Sequence, residues 1–341
     1  MKKIFAGLIA AVMVFALTAC GTIQGNQNKV VKQNPLVVLV TNTGSMGDNS
    51  YNDEGWVGCE QAKKDMDIDI RCLESQNAKE VDQNLQSAGN DNAALVVVME
   101  DGNRDAIKRA SVNYPDTKFV VIDGKKYGDN VAGVTFAEQE GAYLAGIAAA
   151  SVTITKTVGF IGGKRDAAVQ RYEAGFKAGV MTVEKDINVL TQYTGNYSDT
   201  EKAASIAEAM HKRGADVIMQ AAGKAGAGVI ETAGKDDFYA IGTDADQSVN
   251  DSEHVLCSAT KDISGAVKEQ IAKVVKGDFQ AKDLEKTIKD DSVGISDNAG
   301  NMPQLLVDRL DRVKKEIIKG KIKVPWDSRS LANFKAPDIE E

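Results

Sequence analysis

Histidine, proline and aromatic residues are all scarce in this 341-residue chain: two, five and 6%, respectively. So little proline excludes a proline-rich scaffold. His211 and His254 stand far apart, and neither H-E-x-x-H nor G-x-S-x-G occurs. The usual metalloprotease and serine-hydrolase constellations are therefore missing. No C-x-x-C pair is present among four cysteines, so structural zinc is not expected. Positive charge is in deficit, with 41 Lys and Arg against 49 Asp and Glu, a net −8 and pI near 5.1. Phosphates would be repelled, which argues against general nucleic-acid binding. Beyond the N-terminus no apolar run approaches the roughly 20 residues that a membrane span needs. Asp244-Ala245-Asp246 begins like a calcium loop, but its sixth position is Val249 and its twelfth Val255, where the loop requires Gly and Glu. No catalytic site, cofactor or metal is expected.

What is present begins at the N-terminus. Met1-Lys2-Lys3 is basic, residues 4–17 are apolar and uncharged, and Leu17-Thr18-Ala19-Cys20 sets small residues before a cysteine. That order describes a secretory signal, and Leu-Thr-Ala-Cys resembles the bacterial lipobox. Residues 1–20 are thus expected to be a signal peptide, with Cys20 lipidated and the mature chain anchored on the extracytoplasmic face of the cell membrane. Residues 21–34 are polar and without apolar periodicity, as suits a flexible tether. Cys59, Cys72 and Cys257 remain. They are read either as buried free thiols or as a Cys59–Cys72 bridge with one thiol left over.

From Leu36 short β-rich runs alternate with helical ones. Strands are predicted at 36–40, 68–73, 94–99, 118–122 and 131–136, with helices at 52–67, 78–88 and 104–113. A small-residue helix at 138–151 precedes a second round: strands at 157–161, 189–193, 217–220 and 238–242, helices at 167–183, 199–213 and 225–233. A strand at 255–259, a helix at 263–276, a strand at 293–296 and a helix at 302–319 follow. Such alternation implies right-handed βαβ crossovers and parallel sheets. Two rounds imply an α/β protein of two doubly wound lobes, and the extra units suit a chain that returns to the first. Ligands bind beyond the carboxyl ends of such strands.

The post-strand stretches carry a resemblance. Val38-Leu39-Val40-Thr41-Asn42-Thr43-Gly44 runs into Asp48-Asn49-Ser50-Tyr51-Asn52 and Gly55-Trp56. Phe136-Ala137-Glu138-Gln139-Glu140-Gly141 is a second match, and Val158-Gly159-Phe160-Ile161-Gly162-Gly163 with Arg171-Tyr172-Glu173-Ala174-Gly175-Phe176 a third. Ile241-Gly242-Thr243-Asp244-Ala245-Asp246-Gln247 and Gly320-Lys321-Ile322-Lys323-Val324-Pro325 complete the order. Together they resemble the basic membrane protein family of purine-nucleoside-binding lipoproteins serving ABC transporters.

The resemblance implies a type I periplasmic-binding fold with a three-crossing hinge. Its expected divisions are an N-terminal lobe of 35–136 plus 258–288, a C-terminal lobe of 137–257 plus 289–330, and a tail at 331–341. It also implies roles. Tyr51 and Tyr197 would stack on the two faces of a base, and Asn52 would hydrogen-bond its edge. Asn42, Gly223, Asp244 and Lys261 would meet the ribose, with Asp246 beside them. Both tyrosines lie in polar, turn-like stretches where core packing is not expected. They stand where phenylalanine is expected, so their hydroxyls would reach another part of the ligand edge. Asn42 replaces an expected acid. The Gly-rich stretch 223–228 suits close backbone approach to a ligand. A monomer handing a nucleoside to an ABC permease is the implied system. A flavin or sugar ligand on the same fold, or a non-transport signalling lipoprotein, are the alternatives.

Overall fold

The computed structural model describes residues 33–100 and 102–339. The expected signal peptide, Cys20 and most of the tether lie outside them. Leu36-Val37-Val38-Leu39-Val40, apolar throughout, forms β1 (Leu36–Val40), as a parallel strand covered on both faces should. The chain then alternates through α1 (Tyr51–Asp65), β2 (Asp69–Leu73), α2 (Ala78–Asn90), β3 (Leu95–Met99), α3 (Arg104–Asn113), β4 (Lys118–Ile122) and β5 (Val131–Phe136). After α4 (Glu138–Val152) come β6 (Thr157–Gly162), α5 (Ala167–Val183), β7 (Asn188–Tyr193), α6 (Thr200–His211), β8 (Val217–Ala221), α7 (Ala227–Asp236), β9 (Tyr239–Asp244) and β10 (Val255–Lys261). The last elements are α8 (Ile263–Lys276), β11 (Asp283–Lys286), β12 (Val293–Ser296), α9 (Gln304–Ile318) and α10 (Ser328–Ala332).

The strands form two six-stranded sheets, ordered β11-β5-β4-β3-β1-β2 and β12-β10-β9-β8-β6-β7. Pairing is parallel except where β12 runs antiparallel to β10, with Ser258 opposite Ser296 and Lys261 opposite Val293. The chain therefore passes between sheets three times: after β5, after β10, and between β11 and β12.

Three details differ from the sequence reading. The return to the first lobe was expected at 258, yet Ser258, Ala259 and Thr260 still pair with β9 and β12. Their hydrogen bonds hold the chain in the second sheet through Lys261. β11 was not foreseen, because Asp283-Leu284-Glu285-Lys286 alternates polar and apolar on a sheet edge and makes no apolar run. The tail expected from 331 starts inside α10 (Ser328–Ala332), and it packs on the body: Phe334 meets Tyr143 edge to face at 6.1 Å and Ile339 is buried.

Small residues let α4 and α5 touch backbone to backbone. A Cβ at Gly146 would lie 2.1 Å from the Phe176 carbonyl oxygen, and one at Gly179 would lie 2.1 Å from that of Tyr143. Cys59, Cys72 and Cys257 are free thiols, so the bridge alternative is not formed. Burial pushes Cys59 up to about 12 and Cys72 up to about 11.

Gly179→Ala sets two effects against each other. Alanine gains about 1 kcal/mol in helix propensity, but a backbone oxygen cannot rotate aside, so overpacking costs about 2–3 kcal/mol, the upper part of its usual range. Urea denaturation should show a net loss of about 1–2 kcal/mol; unchanged or increased stability would mean that the two helices are free to separate.

Candidate functional site

The strand ends of the two sheets face one cavity of about 670 Å³, its mouth included. The first lobe contributes the loops after β1, β3 and β4; the second contributes those after β6, β7 and β8 and the ends of β9 and β10. Of the residues singled out in the sequence, Asn42, Tyr51, Asn52, Tyr197, Gly223, Asp244 and Lys261 line it. Asp246 does not. Its carboxylate accepts from the Ser248 N–H at 3.0 Å and the Ser296 hydroxyl at 2.9 Å, capping the turn at Gln247–Val249. The glycine stretch is also split. Gly223 borders the cavity at φ +55°, whereas Gly226 makes room for the Gln220 side chain and Gly228 for the Thr200 carbonyl.

Sequence reading missed Asp48, Asp123, Asp166 and Tyr172, all of which line the cavity. Asp123 had a usable signal, since it follows the buried strand β4 as directly as Asp244 closes β9. Both adopt left-handed backbone, φ +61° and +67°, a region that aspartate enters more readily than most residues and that often marks functional turns.

Lys261 is at the base of the cavity, its side chain 2% exposed. Its ammonium lies 2.8 Å from Asp123 Oδ2 of the first lobe, 3.3 Å from Glu138 Oε1 at the first crossing, and 3.5 Å from Asp244 Oδ1 of the second lobe. It also lies 5.0 Å from the Tyr51 ring centroid, 5.2 Å from that of Phe136 and 5.9 Å from that of Tyr172, within cation–π range. Arg171 pairs with the other oxygen of Glu138. Burial pulls the Lys261 pKa down, but Asp123, Asp244 and Glu138 outweigh it and leave it above the ordinary lysine value.

The two tyrosines are buried, 7% and 8% exposed, because the lobes close over stretches that look like turns. Both hydroxyls donate within the protein, which leaves them only as acceptors toward a ligand. Tyr51 donates to the Ile122 carbonyl at 3.0 Å, and Tyr197 donates to Asp166. Asn52 is similarly engaged: its amide nitrogen donates to Asn42 Oδ1 at 2.8 Å and Asp48 Oδ2 at 3.0 Å, and its Oδ1 accepts from the Asn42 N–H at 3.1 Å. Asp123 differs, because its buried Oδ1 has no hydrogen-bond partner among the described residues.

The loop after β1 also touches the second lobe directly. Ser50 donates to Asp244 Oδ2 at 2.7 Å, Asn49 to Asn250 Oδ1 at 3.0 Å, Lys164 to the Thr43 hydroxyl at 3.2 Å and Lys224 to the Met46 carbonyl at 3.4 Å. The lobes are therefore held closed by the protein itself.

Comparison with known proteins agrees with this arrangement. A family model described as "ABC transporter substrate-binding protein PnrA-like" matches residues 36–328. The chain belongs to the basic membrane protein family. Among its relatives, the ABC transporter nucleoside-binding protein BmpA of Lactococcus lactis subsp. cremoris is 33% identical, over 95% of this chain and 99% of that protein. Basic membrane protein A of Borreliella afzelii is 31% identical, over 88% and 94%. A solute-binding protein from Aeropyrum pernix has the same fold, with a TM-score of 0.78 at 24% identity over 88% of this chain and 96% of that one. GanP, a glucose-galactose-binding protein from Geobacillus stearothermophilus, shares it at 0.58 and 19% identity over 75% and 96%. This basic membrane protein is thus an ABC-transporter solute-binding protein with a type I binding fold, not an enzyme, and works with a ligand and a permease. No described helix is long and apolar enough to cross a membrane.

In this family member Asp48 organises the loop after β1. It accepts from the N–H groups of Ser50 at 3.0 Å, Asn52 at 2.9 Å and Asp53 at 3.2 Å. Burial nevertheless raises its pKa to about 6, the backbone donors offsetting only part.

Two predictions follow from the loop. A hydrogen bond to a charged group contributes about 1.5–3 kcal/mol, so Ser50→Ala should loosen closure. Small-angle scattering of the ligand-free protein should show a larger radius of gyration; an identical profile would mean that other contacts alone hold the lobes. Because the folded pKa of Asp48 exceeds the unfolded value near 3.8, the folded state binds the extra proton. The stability of wild type relative to Asp48→Asn should therefore rise as pH falls from 7 to 4, by on the order of 2–3 kcal/mol. A difference that is flat with pH in urea denaturation would refute the raised pKa.

Proposed function

We propose that the cleft captures a nucleoside, with a purine the best fit, and presents it to the permease. The observation that carries this reading is one buried tyrosine from each lobe on the same cavity, with carboxylates at its base. A base is flat and apolar on its faces and polar at its edge. Two rings on one cavity offer faces for such a base, and aromatic pairing adds about 0.5–1.5 kcal/mol beyond area burial. The partnerless Asp123 Oδ1 suits an N–H of the base edge, a role expected of Asn52 and better met here. A buried acceptor left unpaired costs about 1–3 kcal/mol, which ligand binding would relieve. Asp244, Asn42, Gly223 and Lys261 remain the proposed ribose contacts, with Asp244 accepting from sugar hydroxyls through charge-assisted bonds.

Charge sorts among the candidates. Asp48, Glu100, Asp123, Asp166 and Asp244 line the cavity against Lys224 and Lys261. A nucleoside is tolerated there, and a nucleotide's phosphate is repelled. The lactococcal relative is itself named as nucleoside-binding. We place the protein on the extracytoplasmic face, held by lipid on Cys20.

The test is thermal unfolding of ligand-stripped protein against nucleosides, nucleoside monophosphates, sugars and flavins. Ligand at a hundred times its dissociation constant stabilises the native state by about 2.7 kcal/mol. Inosine, guanosine or adenosine should produce the shift and their 5′-monophosphates should not. Tyr197→Ala and Asp244→Ala should each weaken binding by about tenfold or more. A shift with sugars or flavins alone would sink the nucleoside reading and leave the solute-binding role intact.

A further inference from the structure

Residues 312–335 carry eight lysines and arginines against two acids, within a chain of net charge −8. Three of these eight meet at one surface groove. Lys321, Lys323 and Lys335 border a shallow surface groove together with Pro325, Trp326 and Phe334. Of the nearby acids, Glu316 is shared by Lys319 at 2.8 Å and Lys321 at 2.7 Å, Asp291 holds Lys314 at 2.9 Å, and Asp338 follows Lys335 by three residues. Lys323 and Lys335 form no ion pair among the described residues.

Trp326 is 57% exposed between them, and it is firmly held. Its N–H donates to the Ser330 hydroxyl at 3.0 Å, and Asp327 caps α10 by accepting from the Ser330 N–H at 2.7 Å. Val324, two residues before it, is buried. The indole is thus displayed from a fixed turn and not from a frayed end. An indole partitions to the boundary between apolar and polar layers, and clustered ammonium groups are drawn to anionic headgroups.

We propose that this face is a docking surface for an anionic lipid membrane, with Trp326 at the headgroup boundary and Lys321, Lys323 and Lys335 against the phosphates. The expected tether, about 50 Å long when extended, would let the folded body roll onto this face. The surface does not require the lipid on Cys20, so it can be tested without it.

The chain from Gly21 onward, unlipidated and carrying Trp56→Phe so that Trp326 alone fluoresces, is mixed with vesicles of phosphatidylcholine alone or with phosphatidylglycerol added. The expected result is co-sedimentation with the anionic vesicles only, weakening with salt, and a blue shift of Trp326 emission. Attraction per basic residue near such a surface corresponds to about fivefold in partitioning. Lys323→Glu with Lys335→Glu should therefore lower binding more than tenfold, and Trp326→Ala should weaken it, both at unchanged thermal unfolding. Equal binding to neutral and anionic vesicles, or indifference to the charge reversal, would overturn the proposal. Binding to soluble polyglutamate but not to vesicles would also overturn it and make the face a site for an acidic protein segment.

Discussion

One buried ammonium organises this molecule. Lys261 ends the last parallel strand of the second sheet, and the carboxylates around it come from the first lobe, the first crossing and the second lobe. Taking a lysine and three carboxylates out of water costs several kcal/mol per ion. Removing any partner would leave charge uncompensated, so the cluster specifies geometry more than it adds stability. It fixes where the lobes meet when closed, and it sets Asp123 and Asp244 at the base of the cavity.

The remaining contacts follow from that meeting point. Arg171 balances the second oxygen of Glu138 from the α5 side, and the glycine-lined approach of α4 to α5 lets that helix come close enough to do so. The third passage of the chain is stitched to the other two: the Ile288 N–H donates to Glu140 at 2.8 Å and the Asp262 N–H to the Ser292 carbonyl at 2.8 Å. A hinge of three linked strands bends and does not twist freely. Opening therefore separates the loop after β1 from Asp244, Asn250 and Lys224 along a defined path.

Much of this was legible in the sequence, for physical reasons. Strands covered on both faces read as unbroken apolar runs, so β1, β4 and β5 were found to the residue. β11 was not, since an edge strand with one wet face needs no such run. Asp246 stands only two residues after Asp244, but only Asp244 turns left-handed at the strand end and reaches the cavity. Asp246 is taken by backbone capping. Tyr51 and Tyr197 line the cavity but are buried, contrary to the exposed turns expected. Polar neighbours suggested exposure, while closure of one lobe on the other, invisible to local pattern, buries both. Tyr172 gave no signal, because a helix residue reaching Asp244 at 3.0 Å depends on how two elements pack.

The late arrival of β11 bears on how the chain acquires its structure during synthesis. β5 is buried along its whole length, yet its outer neighbour is made only when residues 283–286 appear, after the entire second round of strands. Until then the nascent first lobe presents an apolar, unpaired strand edge, which invites mispairing. Pairing across so long a stretch of sequence is slow, because loop closure must precede its reward. The connectivity that makes the hinge also delays completion of the first lobe until most of the polypeptide exists.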